Sequence, residues 1–417
     1  MQRMWTKTWT SVLALAFLAF GTAQTLDMWS WRTEDIAAYN QILDVYEAQN
    51  PGVSIDFEAF LNTEYNTLVA TSLQADAAAD VVQTRSYGGV TEWIDGGYLV
   101  PLDGRADNLA NYSDTALDAV RSRDTGEVFG MPFAIQTLQM YYNRAIFAEL
   151  GLEPPTTWDE FIAINDTLLG AGYIPLAITG KDSWMLPIFH TVVGAGTYGG
   201  NDFVDAVLAG DTTFEDPAFV ESLQAVKDLQ PYMPPGVTGV SYVDTQNLFV
   251  NELAAMFPGG SWEAAFFSAQ NPDLDLGVFT VPAKNTNQQL VSWFVDGSWA
   301  VTTSAEDVEA SLDFVNWLGS TEFGQLFTDT LAQISPIEGV VPTDPILNEI
   351  VELWNANATP YMLLVHFRYG APSGTVVLGQ DMQSLFLDNM TPEEVATSLQ
   401  EQMATWFTPG SSPQASQ

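Results

Sequence analysis

The sequence predicts an α/β protein built from more than one domain. Three observations lead there. Segments of strand composition alternate with helices that carry explicit start signals, the pattern of α/β architectures. The chain has 417 residues, enough for two or three domains at about 150 residues each. No Pro/Gly/Ser-rich linker divides it. Two lobes without a linker imply that the chain crosses between them more than once. Crossings are expected near residues 132–135, near 295–299 and after Pro342. A hydrophobic content of 47% supplies a core and argues against disorder.

The elements follow in order. Arg3 and Lys7, the apolar stretch 11–20 (SVLALAFLAF) and Gly21-Thr22-Ala23 have the three-part form of a secretory signal cleaved near Ala23. The stretch is short of the roughly 20 residues a membrane span needs. A buried N-terminal helix is the competing reading. Residues 25–31 (TLDMWSW) have strand composition. Thr33 then reads as a helix cap, with Glu34 and Asp35 in the first turn. Ile36, Tyr39, Leu43 and Tyr46 form one apolar stripe, and Asn50-Pro51-Gly52 ends the helix. Residues 53–57 (VSIDF) and 80–84 (DVVQT) read as strands, and 92–99 as helix and turn. A capping box at Thr157-Trp158-Asp159-Glu160 starts a helix whose face carries Phe161, Ile162, Leu168 and Leu169. Asp216-Pro217 starts another. Ser304, with Asp307 three residues on, starts one that Gly319 ends. Thr391-Pro392-Glu393-Glu394 starts the last, with a stripe of Val395, Leu399, Met403 and Trp406. The segment 409–417 is expected to be a disordered tail.

Composition removes several function classes. There is no cysteine, hence no disulfide, thiolate metal site, Cys nucleophile or lipid-modified cysteine. The formal net charge is −40; loss of the signal, with two bases and no acid, makes it −42. Such a surface repels nucleic acid and anionic lipid. The acids are spread along the chain, which favours a solvated acidic shell suited to a saline habitat over a docking patch for a basic partner. Only His190 and His366 supply imidazoles, and no HExxH, Walker or GxSxG motif is present. No metal and no cofactor are expected. Residues 194–199 match GxGxxG, but helix-like rather than strand-like sequence precedes them, so they read as a glycine-rich turn and not a dinucleotide loop. A glycosidase pair of carboxylates has no positive signal among 52 acids.

The aromatic residues are more informative. A sugar offers one apolar C–H face and a rim of hydroxyls, which an aromatic ring and nearby polar side chains satisfy together. Of the 13 Trp, several sit beside polar residues in loop-like contexts: Trp31-Arg32, Asp182-Ser183-Trp184, Gly260-Ser261-Trp262-Glu263 and Asp296-Gly297-Ser298-Trp299. For any one of them core packing is the competing reading. Trp93, Trp158, Trp317 and Trp406 fall on helix stripes and read as core.

Residues 141–161 (YYNRAIFAELGLEPPTTWDEF) resemble a segment of the bacterial extracellular solute-binding proteins of family 1, the maltose-binding-protein type that serves ABC sugar importers. Residues 79–103, 126–143, 254–262 (AAMFPGGSW) and 312–327 (LDFVNWLGSTEFGQLF) resemble further segments in the family's order. The resemblance covers essentially the whole chain after the signal. It implies a two-lobed periplasmic-binding-protein fold with hinge strands and an interlobe ligand cleft. The first lobe would comprise 24–133 plus 297–345, and the second 134–296 plus 346–408. Carried over by position, Trp262 is a sugar-stacking platform and Trp184 a second-lobe aromatic. Trp31 and Arg32 face the cleft after the first strand. Arg85, Ser86 and Tyr87 occupy the next binding loop. Gln136 lies past the hinge proline, Asp296 and Gly297 at the second crossing, and His366 and Arg368 in a second-lobe loop that departs from the maltose-binding pattern.

The expected function is a monomeric periplasmic binding protein, not an enzyme. It would capture a mono- to oligosaccharide and deliver it to the permease subunits of an ABC importer. The alternatives are a secreted glycoside hydrolase and a sugar-sensing protein using the same cleft. The three arginines leave an anionic ligand open.

Overall fold

The computed structural model describes residues 24–410. The signal reading and the tail residues 411–417 lie outside the described residues. The strands are β1 (Gln24–Ser30), β2 (Val53–Ala59), β3 (Val81–Arg85), β4 (Met131–Pro132), β5 (Ile135–Asn143), β6 (Ile174–Leu176), β7 (Ala254–Gly260), β8 (Leu276–Phe279), β9 (Val291–Val295), β10 (Gly297–Val301) and β11 (Ala358–Pro360). They form two sheets. The first has the order β2-β1-β3-β10-β4; the second has β11-β9-β5-β7-β6, with β8 pairing β5. Both are mixed. In the first, β1 runs parallel to β2 and β3, and β10 runs antiparallel to β3 with Gly297 opposite Arg85. Among the described residues no helix is long and apolar enough to cross a membrane.

Three segments join the sheets. Phe133 and Ala134 connect β4 to β5, and Asp296 alone connects β9 to β10. The third follows the helix Thr321–Leu331, which packs on the helix Ile36–Gln49 beside the first sheet. There Ile334 bridges Ile135 and Ile337 bridges Tyr112. The chain then enters the helix Pro345–Asn357, which packs on β8 and β9 of the second sheet.

Local chemistry explains the elements. Val81 and Val82 of β3 are fully buried, as a strand covered on both faces requires. Tyr39 stacks on Phe57 at 4.9 Å and meets the buried Trp299 edge-on at 5.5 Å, which ties the first helix to the sheet. The capping boxes at Thr157 and Thr391 and the Asp216 cap form where their residues predict.

Other details differ. Thr33 lies inside a short 3₁₀ turn, Thr33–Asp35, and the α-helix starts at Ile36 with no side-chain cap, because Arg32 engages the Asp35 carboxylate. Ile36 is exposed, and Ile42 completes the buried stripe. Asp307, not Ser304, caps the helix Val308–Leu318. The segment expected as helix from Glu92 is the helix Gly88–Asp95. On Trp158–Gly170 the buried face is Trp158, Phe161, Ile164 and Leu168; Leu169, a further 100° round, is exposed. Trp406 falls past the end of Pro392–Met403, where its indole donates to the Pro372 carbonyl at 3.0 Å. The GxGxxG segment is neither a nucleotide loop nor a turn. It is the last turn of the buried helix Met185–Tyr198 with its left-handed cap Gly199. A Cβ on Gly196 would lie 2.6 Å from the Gln288 carbonyl, so that glycine serves close packing.

Candidate functional site

The carboxyl ends of β1 and β3, parallel neighbours, open on one edge of the first sheet. Such an edge is where open α/β sheets present their ligand residues. Trp31 follows β1. It is 3% exposed, edge-on to Tyr65 at 5.7 Å and tilted against Phe133 at 5.9 Å. Its outer face carries the Arg85 guanidinium, 3.8 Å from the ring centroid, a cation–π contact. Arg85 also donates to Asn62 Oδ1 at 2.8 Å and Asn66 Oδ1 at 3.3 Å, one helical turn apart. Arg32 is paired with Asp35 and, at 3.5 Å, with Glu34. Ser86 is fully buried and its hydroxyl has no hydrogen-bond partner among the described residues. Tyr87 has φ +57°, a conformation costing a non-glycine residue roughly 1–3 kcal/mol. Two contacts hold it there: its N–H donates to the Ala119 carbonyl at 2.6 Å, and its hydroxyl accepts from the Val295 N–H at 3.1 Å.

The second sheet supplies a second group of aromatic residues. Trp184 caps the buried helix Met185–Tyr198 and is half exposed. It stands edge-on to Tyr242 at 5.0 Å. Trp262 follows β7. Its Nε1–H reaches the Tyr242 hydroxyl at 3.2 Å and Glu263 Oε1 at 3.0 Å. Glu263 also accepts from Gln246 Nε2 at 2.9 Å and, in a short hydrogen bond, from the Tyr242 hydroxyl. Burial pushes the Glu263 carboxyl up to about 7, while these donors and the charge of Arg32 pull the other way. Trp262 continues through Phe294 at 6.5 Å to Tyr361 at 5.8 Å.

The connecting segments meet at one side chain. Gln136 Nε2 donates to Asp296 Oδ2 and to Gln333 Oε1, both at 3.2 Å, and its Oε1 accepts from Ser261 Oγ at 2.6 Å. One amide thus ties all three connections to the foot of the Trp262 loop. Gly297 is buried beneath Trp31: a Cβ there would lie 2.7 Å from that ring and 2.2 Å from the Thr84 carbonyl.

Arg368 reaches the opening from the other side. Its backbone packs so tightly on Gly88 that a Cβ at Gly88 would lie 2.2 Å from the Arg368 carbonyl oxygen. Beside it Arg123 Nη2 donates to the Tyr369 hydroxyl at 2.6 Å. Burial lowers the Arg368 pKa, with Asp296 opposing, and burial likewise pushes Arg85 down to about 10, with Asp296 opposing and Arg368 reinforcing. Burial lowers His366 to about 4, and its charged neighbours are Arg123 and Asp205 rather than the arginines of the cleft.

The structure places Asp296 where its charge acts on Arg32, Arg85 and Arg368, and joins Trp184 to Trp262 through Tyr242. Trp31 lies underneath Arg85, Ser86 is enclosed, and His366 stands aside. Sequence reasoning missed Tyr242, Gln246, Glu263, Gln333 and the Asn62–Asn66 pair. Glu263 could have been found, as the acid next to a loop tryptophan. Tyr242 and Gln246 share one helix face at i, i+4, but nothing local ties them to position 263.

The family described as bacterial extracellular solute-binding protein matches residues 29–325, well over half the chain. A multiple sugar-binding protein of Streptococcus mutans serotype c is 23% identical over 325 residues, covering 76% of each chain. A mannitol-binding protein of Pseudomonas aeruginosa is 22% identical over 327 residues, 76% of this chain and 73% of the relative. Among solved structures, the solute-binding protein RafE in complex with raffinose aligns with a TM-score of 0.77 at 21% identity, covering 91% of this chain and 99% of that one. A chitin oligosaccharide binding protein aligns with a TM-score of 0.77 at 20% identity, covering 92% and 99%. The matched span, on a chain with two mixed sheets joined by three segments, establishes that the chain belongs to the bacterial extracellular solute-binding protein family.

Proposed function

We propose that the protein captures a mono- to oligosaccharide between its lobes, without chemical change, and delivers it to the permease subunits of an ABC importer. One observation carries the reading. Trp184, Tyr242 and Trp262 form one connected indole and phenol group on the second sheet, and the charge of Arg32, beyond the first sheet's β1, reaches Tyr242 and Glu263 of that group. Indole faces take the apolar side of a pyranose, and Arg32, Arg85, Asp296 and Arg368 meet its hydroxyl rim. Family membership and the sugar-binding relatives support the same reading. The lobes are assigned as 24–133 plus 297–345 and 134–296 plus 346–408. A ligand touching both stabilises the closed arrangement by its differential affinity for the two states. The protein works in the periplasm as a monomer, exported by its N-terminal signal.

The test is a thermal-shift screen of saccharides, followed by calorimetry on Trp262→Ala. A true ligand at many times its Kd raises the melting temperature. The substitution weakens binding by about 1–3 kcal/mol, the range for a packed aromatic contact. Unchanged affinity in the variant removes Trp262 from the site. Recovery of a cleaved sugar overturns binding without chemistry.

A further inference from the structure

The cations of this chain are unevenly placed. It has 12 Lys and Arg against 52 Asp and Glu, yet Arg32 and Arg85 stand at the ends of the neighbouring strands β1 and β3, and Arg85 and Arg368 both approach Gly89. Their partners differ. Arg32 is met by Asp35 and Glu34. Arg85 is held by neutral groups only, the Trp31 face and the amides of Asn62 and Asn66. The Arg368 side chain makes no ion pair and no hydrogen bond with another described residue. Asp296 is the carboxylate that both feel, and its own hydrogen bond is to Gln136. Neither Arg85 nor Arg368 has a carboxylate at ion-pair distance among the described residues.

Both approach one glycine. A Cβ on Gly89 would lie 2.5 Å from the Arg85 Cβ and 3.1 Å from the Arg368 Cζ, so the absence of a side chain there lets the Arg368 guanidinium come in beside the Arg85 stem. A guanidinium presents a planar fork of donors that matches a carboxylate in two-pronged geometry. A burial cost for unpaired charge is repaid only when a counter-charge arrives. In a molecule of such negative charge, two cations held without an ionic partner on opposite lobes mark the place where the ligand carries its own anion.

We propose that the solute is an acidic saccharide, bearing a uronic or aldonic carboxylate that lies between Arg85 of the first lobe and Arg368 of the second. The planar two-oxygen edge of a carboxylate is the shape that a guanidinium fork matches. A carboxylate bridging the lobes also supplies the differential contact that closes them. The inference rests on the cleft being a sugar site, as proposed above.

The experiment compares matched pairs by thermal shift and calorimetry: galacturonate, glucuronate, gluconate and short oligouronides, each beside its neutral parent, with hexose 1-phosphates as a third arm. An acidic member binds about 10- to 100-fold more tightly than its parent, the range for hydrogen bonds to a charged group. Arg368→Gln lowers that affinity by a similar factor and erases the preference. Arg368→Lys, which keeps the charge and loses the fork, falls between, with thermal denaturation checking that both variants fold. A neutral sugar bound as tightly as its acidic partner overturns the charge assignment and leaves sugar binding standing. Binding in the phosphate arm alone overturns the carboxylate. A panel in which no saccharide binds overturns this inference together with the proposed function.

Discussion

Glu263 holds the aromatic wall together, since one carboxylate collects donors from Trp262, Gln246 and Tyr242. It is fully buried, and burial raises its pKa to about 7 from the usual 4.5. The folded state therefore keeps a proton that the unfolded state releases. By linkage, this group's contribution to stability is present below about pH 4.5, falls as pH rises to about 7 and is constant above. His190 acts in the opposite sense: burial lowers it to about 3, so its contribution falls as pH drops from 6.5 toward 3. The two are separated by mutation. Over pH 5 to 7.5 the wild type loses roughly 1–3 kcal/mol relative to Glu263→Gln, whose side chain does not titrate. Denaturant titrations at several pH values measure the difference. Parallel pH profiles for the two proteins would show that Glu263 is ionised throughout.

At the level of elements, what is local was legible and what is set by packing was not. Thr157, Asp216 and Thr391 announce their helices because a cap is decided within four residues. The helix Gly88–Asp95 starts earlier than its apolar pattern indicates, because Gly88 and Gly89 are set by contact with Arg368, far away in sequence. The tryptophans divide in the same way: Trp31 and Trp184 both sit beside polar residues, yet one is 3% and the other 49% exposed. Gly297 offers the sharpest test of such packing. A Cβ there would lie 2.2 Å from the Thr84 carbonyl, 2.7 Å from the Trp31 ring and 2.9 Å from the Phe133 ring, all in the buried junction of β3, β10 and the first crossing. Gly297→Ala forces backbone or rings apart and costs about 1–3 kcal/mol. Gly239→Ala is the control, since nothing lies within 4 Å of its Cβ position and its φ is ordinary. Denaturant midpoints measure both. Equal losses would remove crowding as the explanation for Gly297.

The whole molecule has an excess of negative charge that no local pairing absorbs. Its α/β class and the need for several crossings were readable from alternation and the missing linker. The strand order was not, because it depends on pairings such as Thr84 with Ser298, 214 positions apart. The charge was legible in the composition, and the structure shows how little of it is neutralised. The ion pairs among the described residues draw on Arg32, Arg105, Arg121, Arg144, Lys227 and Lys284, each meeting one or two acids. Against 52 acidic residues, that leaves most carboxylates without a cationic partner among the described residues. Net charge of this size destabilises a compact state through self-repulsion. The repulsion is screened as the Debye length shrinks, from about 30 Å at 0.01 M salt to about 10 Å at 0.1 M and 3 Å at 1 M. The melting temperature therefore rises with sodium chloride, most steeply at the low end, where distant carboxylates still interact. Chloride is the right salt for this measurement, because sulfate also strengthens apolar burial and would raise the midpoint for another reason. Screening weakens the exposed ion pairs as well, but such pairs contribute about 0–1 kcal/mol each and are outnumbered by the repulsions. A midpoint that stays flat or falls between about 0.01 and 0.5 M would mean that the acids are spaced widely enough to ignore one another, and that the favourable pairs set the balance.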